Sequence, residues 1–266
     1  MTCIVGGKCI DGVVLVADRR VIYPNDSLES RDKIFMDFHP FVIASSGSTS
    51  SFDNFRREAK ELANKLSGYY DEKGQRFTTF PVDPSVTSGV ATLYHTSKES
   101  PQYPVIRLYK YLEELKIIVQ KYKKESFFDV LVASRTLDNM DTHLEYIGEN
   151  GMTDIGNDRG YTVIGSNETH VAAEFLMKSL WKKSLKMDAF TEMAYFIIKY
   201  VDRFKTDIKV GLEGEKPLVW LIPNEGEIDK ATDNYLKKLE NNTDQMLDTL
   251  VKHGLKPLMN YSSPRL

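Results

Sequence analysis

The stretch Thr2-Cys3-Ile4-Val5-Gly6-Gly7-Lys8-Cys9-Ile10-Asp11-Gly12-Val13-Val14-Leu15-Val16-Ala17-Asp18 decides how this chain is read. Two β-branched runs, 3–10 and 13–19, meet at Asp11-Gly12. Asp-Gly between such runs is a strong hairpin signal, because the tight turn needs residues that tolerate positive φ. The chain therefore opens with an antiparallel hairpin whose turn returns Asp18 beside Thr2. Residues 33–38 and 41–46 form a second extended pair around His39-Pro40. Gly47-Ser48-Thr49 then leads into a helical pattern, with Phe52, Phe55, Ala59, Leu62, Ala63 and Leu66 recurring at three and four residues. Ser48 or Thr49 is available as its N-cap.

Further along, residues 67–104 lose that period and gather Gly, Pro, Ser, Thr and Tyr, which reads as an irregular insertion. A second helix is expected over 105–123, and strands over 127–133, 143–147 and 161–164. Two more helices follow, over 169–183 and 188–204, and a last strand over 217–222. Strands grouped in hairpins and helices grouped in pairs give the order β-αα-β-αα-β. Such an order stacks as two antiparallel sheets face to face with helices outside each, an α+β, four-layer α-β-β-α sandwich over residues 1–222. Beyond Pro223 the composition turns to Glu, Lys, Asp and Asn, with Leu236, Leu239, Thr243, Met246, Leu247, Leu250 and Val251 at helical spacing. Residues 223–266 thus read as a C-terminal helical extension, docked on its own domain or left for a partner.

The composition narrows the function. The chain has 266 residues, enough to bury a full core without disulfides or metal staples. Lys and Arg total 35 against 38 Asp and Glu, a net charge of −3, whereas phosphate binding shows as a basic excess. Nucleic acid is not the expected partner, and no apolar run reaches the ~20 residues of a membrane helix. No basic segment followed by an apolar one opens the chain, so a cytoplasmic location is expected. Cys3 and Cys9 share one strand parity and fit a reducing compartment. No Walker loop, Gly-x-Gly-x-x-Gly, His-Glu-x-x-His, Cys-x-x-Cys or Gly-x-Ser-x-Gly is found, and the five histidines are scattered. No cofactor or metal is expected.

What remains is the N-terminus. A small residue after Met1 usually permits Met removal, which leaves Thr2 with a free α-amine beside its own hydroxyl. An α-amine ordinarily titrates at about 7.7–8.0 and so acts as a base near neutral pH, which lets one residue supply nucleophile and base. The hairpin brings Asp18 back to Thr2, Lys33 starts the next strand, and Gly47 ends the one after. A buried lysine there would favour developing negative charge, with Asp18 holding it, and the Gly47 N–H suits an oxyanion hole. On spacing alone, Asp18 and Lys33 also read as an ordinary semi-buried ion pair.

Residues 2–20, then Ser30-Arg31-Asp32-Lys33-Ile34, then Ala44-Ser45-Ser46-Gly47-Ser48, resemble the N-terminal third of proteasome β-type subunits and their relatives, which are N-terminal nucleophile hydrolases. The Thr-to-Asp and Lys-to-Gly intervals match that family, and the Asp-to-Lys interval is one residue shorter. Tyr161-Thr-Val-Ile-Gly165-Ser166-Asn resembles the family's Gly-Ser turn into a helix, and the resemblance spans roughly residues 2–222. It implies Thr2 as nucleophile, Asp18 and Lys33 as charge relay, Gly47 as oxyanion donor, and Ser166 and Asp207 as the groups that orient the amine. Val210 stands where the family's catalytic members place a serine. The resemblance also implies a substrate pocket that includes Val21, Arg31, Ser45, Thr49 and Asp53. The activity implied is a threonine-type peptidase that cleaves peptide bonds through an acyl-threonine. A ligase or transpeptidase using the same acyl-enzyme, and a non-catalytic structural subunit, are the alternatives. Expected partners are peptide or unfolded-protein substrates, together with copies of itself or proteasome-like subunits.

Overall fold

The computed structural model describes residues 2–22, 28–38, 41–66, 69–70, 76–77, 102–124, 128–135, 141–148, 151–165, 167–204, 212 and 215–252. The opening hairpin is β1, Cys3–Cys9, and β2, Gly12–Ala17, paired antiparallel with Ile4 opposite Ala17 and Cys9 opposite Gly12. Two short strands, β3 (Arg20–Ile22) and β4 (Leu28–Ser30), form a ribbon that the sequence reading leaves unassigned. Strands β5, Ile34–Phe38, and β6, Phe41–Ser46, follow. Helix α1, Thr49–Leu66, is capped by Ser48: its carbonyl accepts from Phe52 N at 3.0 Å and its hydroxyl from Ser51 N at 3.2 Å. These two bonds settle which of the two candidate residues is the cap.

Of the expected insertion, the structure describes a small pair, β7 (Tyr69–Tyr70) and β8 (Arg76–Phe77), and the start of α2, Gln102–Lys123; the rest lies outside the described residues. Then come β9 (Asp129–Arg135), β10 (Thr142–Gly148), β11 (Gly151–Asp154) and β12 (Tyr161–Gly165). Helices α3, Asn167–Leu180, and α4, Met187–Phe204, precede β13, Leu218–Pro223, and β14, Asp229–Lys230, and α5 spans Asp233–Lys252. The fold is mixed, with antiparallel sheets and, among the described residues, five helices.

Two five-stranded antiparallel sheets carry it, in the orders β12-β1-β2-β13-β14 and β11-β10-β9-β6-β5. The middle strands β2 and β9 carry the apolar runs 13–17 and 130–133, buried on both faces, and alternation assigns each residue its side. Val14 and Val16 of β2 join Cys3, Val5 and Cys9 of β1 in a cluster with Phe190, Tyr195 and Ile197 of α4. Phe41 and Ile43 of β6 join Val130 and Val132 of β9 in a second cluster with Phe55 of α1 and Leu112 and Leu115 of α2. The alternate residues Val13, Leu15, Ala17, Val42, Ala44, Leu131 and Ala133, drawn from both sheets, meet in a third. Each fully buried aliphatic side chain contributes about 1.5–3 kcal/mol.

Gly7 shows how closely the layers approach, since a Cβ there would lie 2.2 Å from the Phe190 ring. Past β13, Leu236, Leu239 and Leu247 of α5 belong to the same cluster as Phe190. Lys199 of α4 pairs with Asp244 at 3.1 Å and Arg203 with Asp248 at 2.7 Å, so α5 is fastened to α4 along its length. Among the described residues, no helix is long and apolar enough to cross a membrane.

Candidate functional site

Thr2 stands immediately before β1, 4% exposed, with the strand parity of Ile4, which faces the second sheet. The hairpin register places the residue after Ala17 opposite Cys3. Asp18 N donates to Cys3 O at 3.0 Å, and Cys3 N donates to Asp18 Oδ1 at 2.8 Å. That second N–H belongs to the Thr2–Cys3 peptide, so the Asp18 carboxylate fixes the plane from which Thr2 projects. Lys33, just ahead of β5, donates to Oδ1 and Oδ2 of Asp18, both at 2.8 Å. Asp18 is 0% and Lys33 4% exposed. Burial pulls the Lys33 ammonium below the ordinary lysine range, and the Asp18 charge opposes that shift.

On the other side of Thr2, Cys3 pairs with Gly165 of β12, and a Cβ on residue 165 would lie 2.0 Å from the Thr2 carbonyl oxygen. Any side chain there would displace Thr2, which gives a physical reason for the glycine of the Gly165-Ser166 turn. Ser45 N donates to Lys33 O at 3.2 Å, so the end of β6 runs beside Lys33. Gly47 lies two residues beyond, at the junction of β6 and α1. The neighbouring Cys3 thiol is no rival nucleophile, since complete burial raises it well above its usual range.

Of the expected pocket residues, Arg31 pairs with Asp53 and its guanidinium lies 4.9 Å from the centroid of the Phe52 ring. Val21 is on the β3 ribbon, half-buried. Ser45 is 2% exposed, and its hydroxyl has no hydrogen-bond partner among the described residues. Thr49 opens α1, and its side chain is outside what the structure describes; Ser166 and Asp207 also lie outside the described residues. The structure therefore brings Thr2, Asp18 and Lys33 together, with Ser45 in register beside Lys33. Among the described residues, no group of His, Cys, Asp or Glu is arranged to hold a metal ion.

Two features at this end of the sheets escape the sequence reading. Asp129 is opposite Ser46, 5% exposed, and accepts from Tyr146 Oη at 3.0 Å and Lys123 Nζ at 2.9 Å. Its one sequence signal is an acid inside the otherwise apolar run 127–133. The other is Arg19 with Asp32, chain neighbours of the Asp18–Lys33 pair with the charge order reversed, which are also paired.

No family model matches the chain, and no curated protein matches it. It is similar in structure to Anbu from Hyphomicrobium sp. strain MC1, with TM-score 0.63 and 14% identity, covering 94% of this chain and 97% of that one. A Gly-1 mutant of that protein gives TM-score 0.63 at 13% identity over 95% and 97% of the two chains. Anbu (ancestral beta-subunit) from Yersinia bercovieri gives TM-score 0.62 at 13% identity over the whole of both. These matches correct the resemblance to proteasome β-type subunits. The likeness of the first third does not place the chain in that family, because its structural neighbours are Anbu proteins, and identity this low fixes the fold alone.

Proposed function

We propose that this protein is an N-terminal threonine hydrolase that cleaves peptide bonds through an acyl-threonine intermediate. The observation that supports it is the buried chain Cys3 N–H to Asp18 to Lys33, at 2.8 Å in each link, fastened to the peptide that carries Thr2. Once nothing precedes Thr2, its amine takes the proton of its own hydroxyl and Oγ attacks the substrate carbonyl. The Lys33 charge favours the developing alkoxide, and the Gly47 N–H donates to the oxyanion. The amine then protonates the leaving amino group, and water resolves the ester. Ser166 and Asp207 orient the amine in this reading; Val21, Arg31, Ser45, Thr49 and Asp53 line the substrate pocket. Partners are peptide or unfolded-protein substrates and further copies of the chain. The three apolar clusters support a four-layer α-β-β-α arrangement.

The mechanism requires a free Thr2 amine. Intact-mass measurement and N-terminal sequencing of protein purified from its native source are expected to find chains beginning at Thr2. Retention of Met1, or of any longer leader, by every molecule would sink the mechanism.

A further inference from the structure

Neither Asp18 nor Lys33 is inside a strand: β2 ends at Ala17 and β5 begins at Ile34. The sheet ladders alone do not fix the two side chains. Their neighbours Arg19 and Asp32 close a second, reversed pair across the same gap, through Arg19 Nη1 and Asp32 Oδ1, and Arg31 N donates to Arg19 O at 2.9 Å. Arg19 is pinned from behind by Lys216 O, which accepts from Nε at 2.7 Å, and by Glu215 at 3.6 Å. The second oxygen of Asp32 accepts from Lys230 Nζ at 2.5 Å. Lys230 is in β14, opposite Trp220 of β13, three residues before α5 begins.

Asp32 is the carboxylate covalently nearest to Lys33. Left unoccupied, it would compete with Asp18 for the Lys33 ammonium, and a lysine turned toward Asp32 would leave both Asp18 and the Thr2–Cys3 peptide. We infer that Arg19 and Lys230 are positioning residues that occupy both oxygens of Asp32, so that Lys33 stays on Asp18 beside Thr2. This couples the C-terminal β14–α5 segment to the candidate nucleophile, and it rests on the reading of Thr2 as that nucleophile. Among the described residues, the charged and titratable groups acting on Lys33 include Asp18, Cys3 and Arg20.

The test is the rate at which a peptidyl β-lactone adds to Thr2, read by intact mass, beside the thermal midpoint. Lys230→Gln is expected to slow addition about fivefold, the upper range for one exposed ion pair, with the midpoint almost unmoved. Lys230→Arg is expected to restore the rate. The discriminating variant is the double Lys230→Gln/Asp32→Asn, in which the competing carboxylate is gone and the rate is expected to recover. Losses that simply add would mark Lys230 and Asp32 as ordinary scaffold and overturn the inference, as would an unchanged rate in Lys230→Gln. If the lactone fails to label even the wild type, the Thr2 reading fails separately. The ¹⁵N resonance of Lys33 Nζ then decides: a titration midpoint that rises in Lys230→Gln and returns in the double variant upholds the sequestration of Asp32, and one that does not move overturns it.

Discussion

Asp18 does two jobs with one carboxylate: Oδ1 takes the Cys3 N–H, and both oxygens take the Lys33 ammonium. A fully buried charge is tolerated only when its partners are in place, and removing one partner costs more than removing both. Lys33→Ala therefore lowers unfolding free energy by about 3–5 kcal/mol. The double variant Asp18→Asn/Lys33→Met costs less than Lys33→Ala alone. Urea unfolding of the three proteins checks this order, and a Lys33→Ala cost within about 0.5 kcal/mol of zero, as at an ordinary surface site, would contradict it. The hairpin signal returns Asp18 to Thr2 and the strand start at Lys33 makes its convergence on Asp18 possible, which the 2.8 Å contacts show. The Lys230–Asp32 contact is not legible in the sequence, since 198 residues separate its partners and no local period connects them.

At the scale of elements, β10 and β11 hold a group that makes stability depend on pH. Glu145 is 6% exposed, opposite Asp154, and burial first, with the Asp154 charge second, raises its carboxyl from 4.5 to about 7. The folded state thus keeps a proton that the unfolded chain releases earlier. The stability this gives is complete below pH 4.5, falls as pH rises, and is gone above about 7. Over that window the loss reaches about 3 kcal/mol at most. Urea midpoints measured across it should fall in the wild type and flatten in Glu145→Gln; parallel curves would contradict the assignment. The long elements are readable because their periods run for several turns or strand residues, as in α1 and β2. The ribbon of β3 and β4, strand β11 and strand β14 are not. They have two to four residues each and exist through their partners, with no pattern of their own to announce them.

On the scale of the whole molecule, the alternation of residues in β1, β2, β6 and β9 between clusters leaves one end of the two sheets for Thr2, Asp18 and Lys33. One hairpin and two strand boundaries make that convergence possible without fixing it, because Lys33 leads into a strand of the other sheet. How firmly α5 is attached cannot be read from the residues alone, because Leu236, Leu239 and Leu247 show a helical face without showing what covers it. The fold shared with the Anbu structures leaves the chemistry to be decided at Thr2 itself. The most direct measurement is peptide mapping of the protein, begun at Thr2, after reaction with a peptidyl β-lactone. A single adduct is expected, on Thr2, absent from Thr2→Ala. Folded protein with Thr2 as its first residue and no adduct, or with the adduct on Cys3 or Cys9, would contradict it.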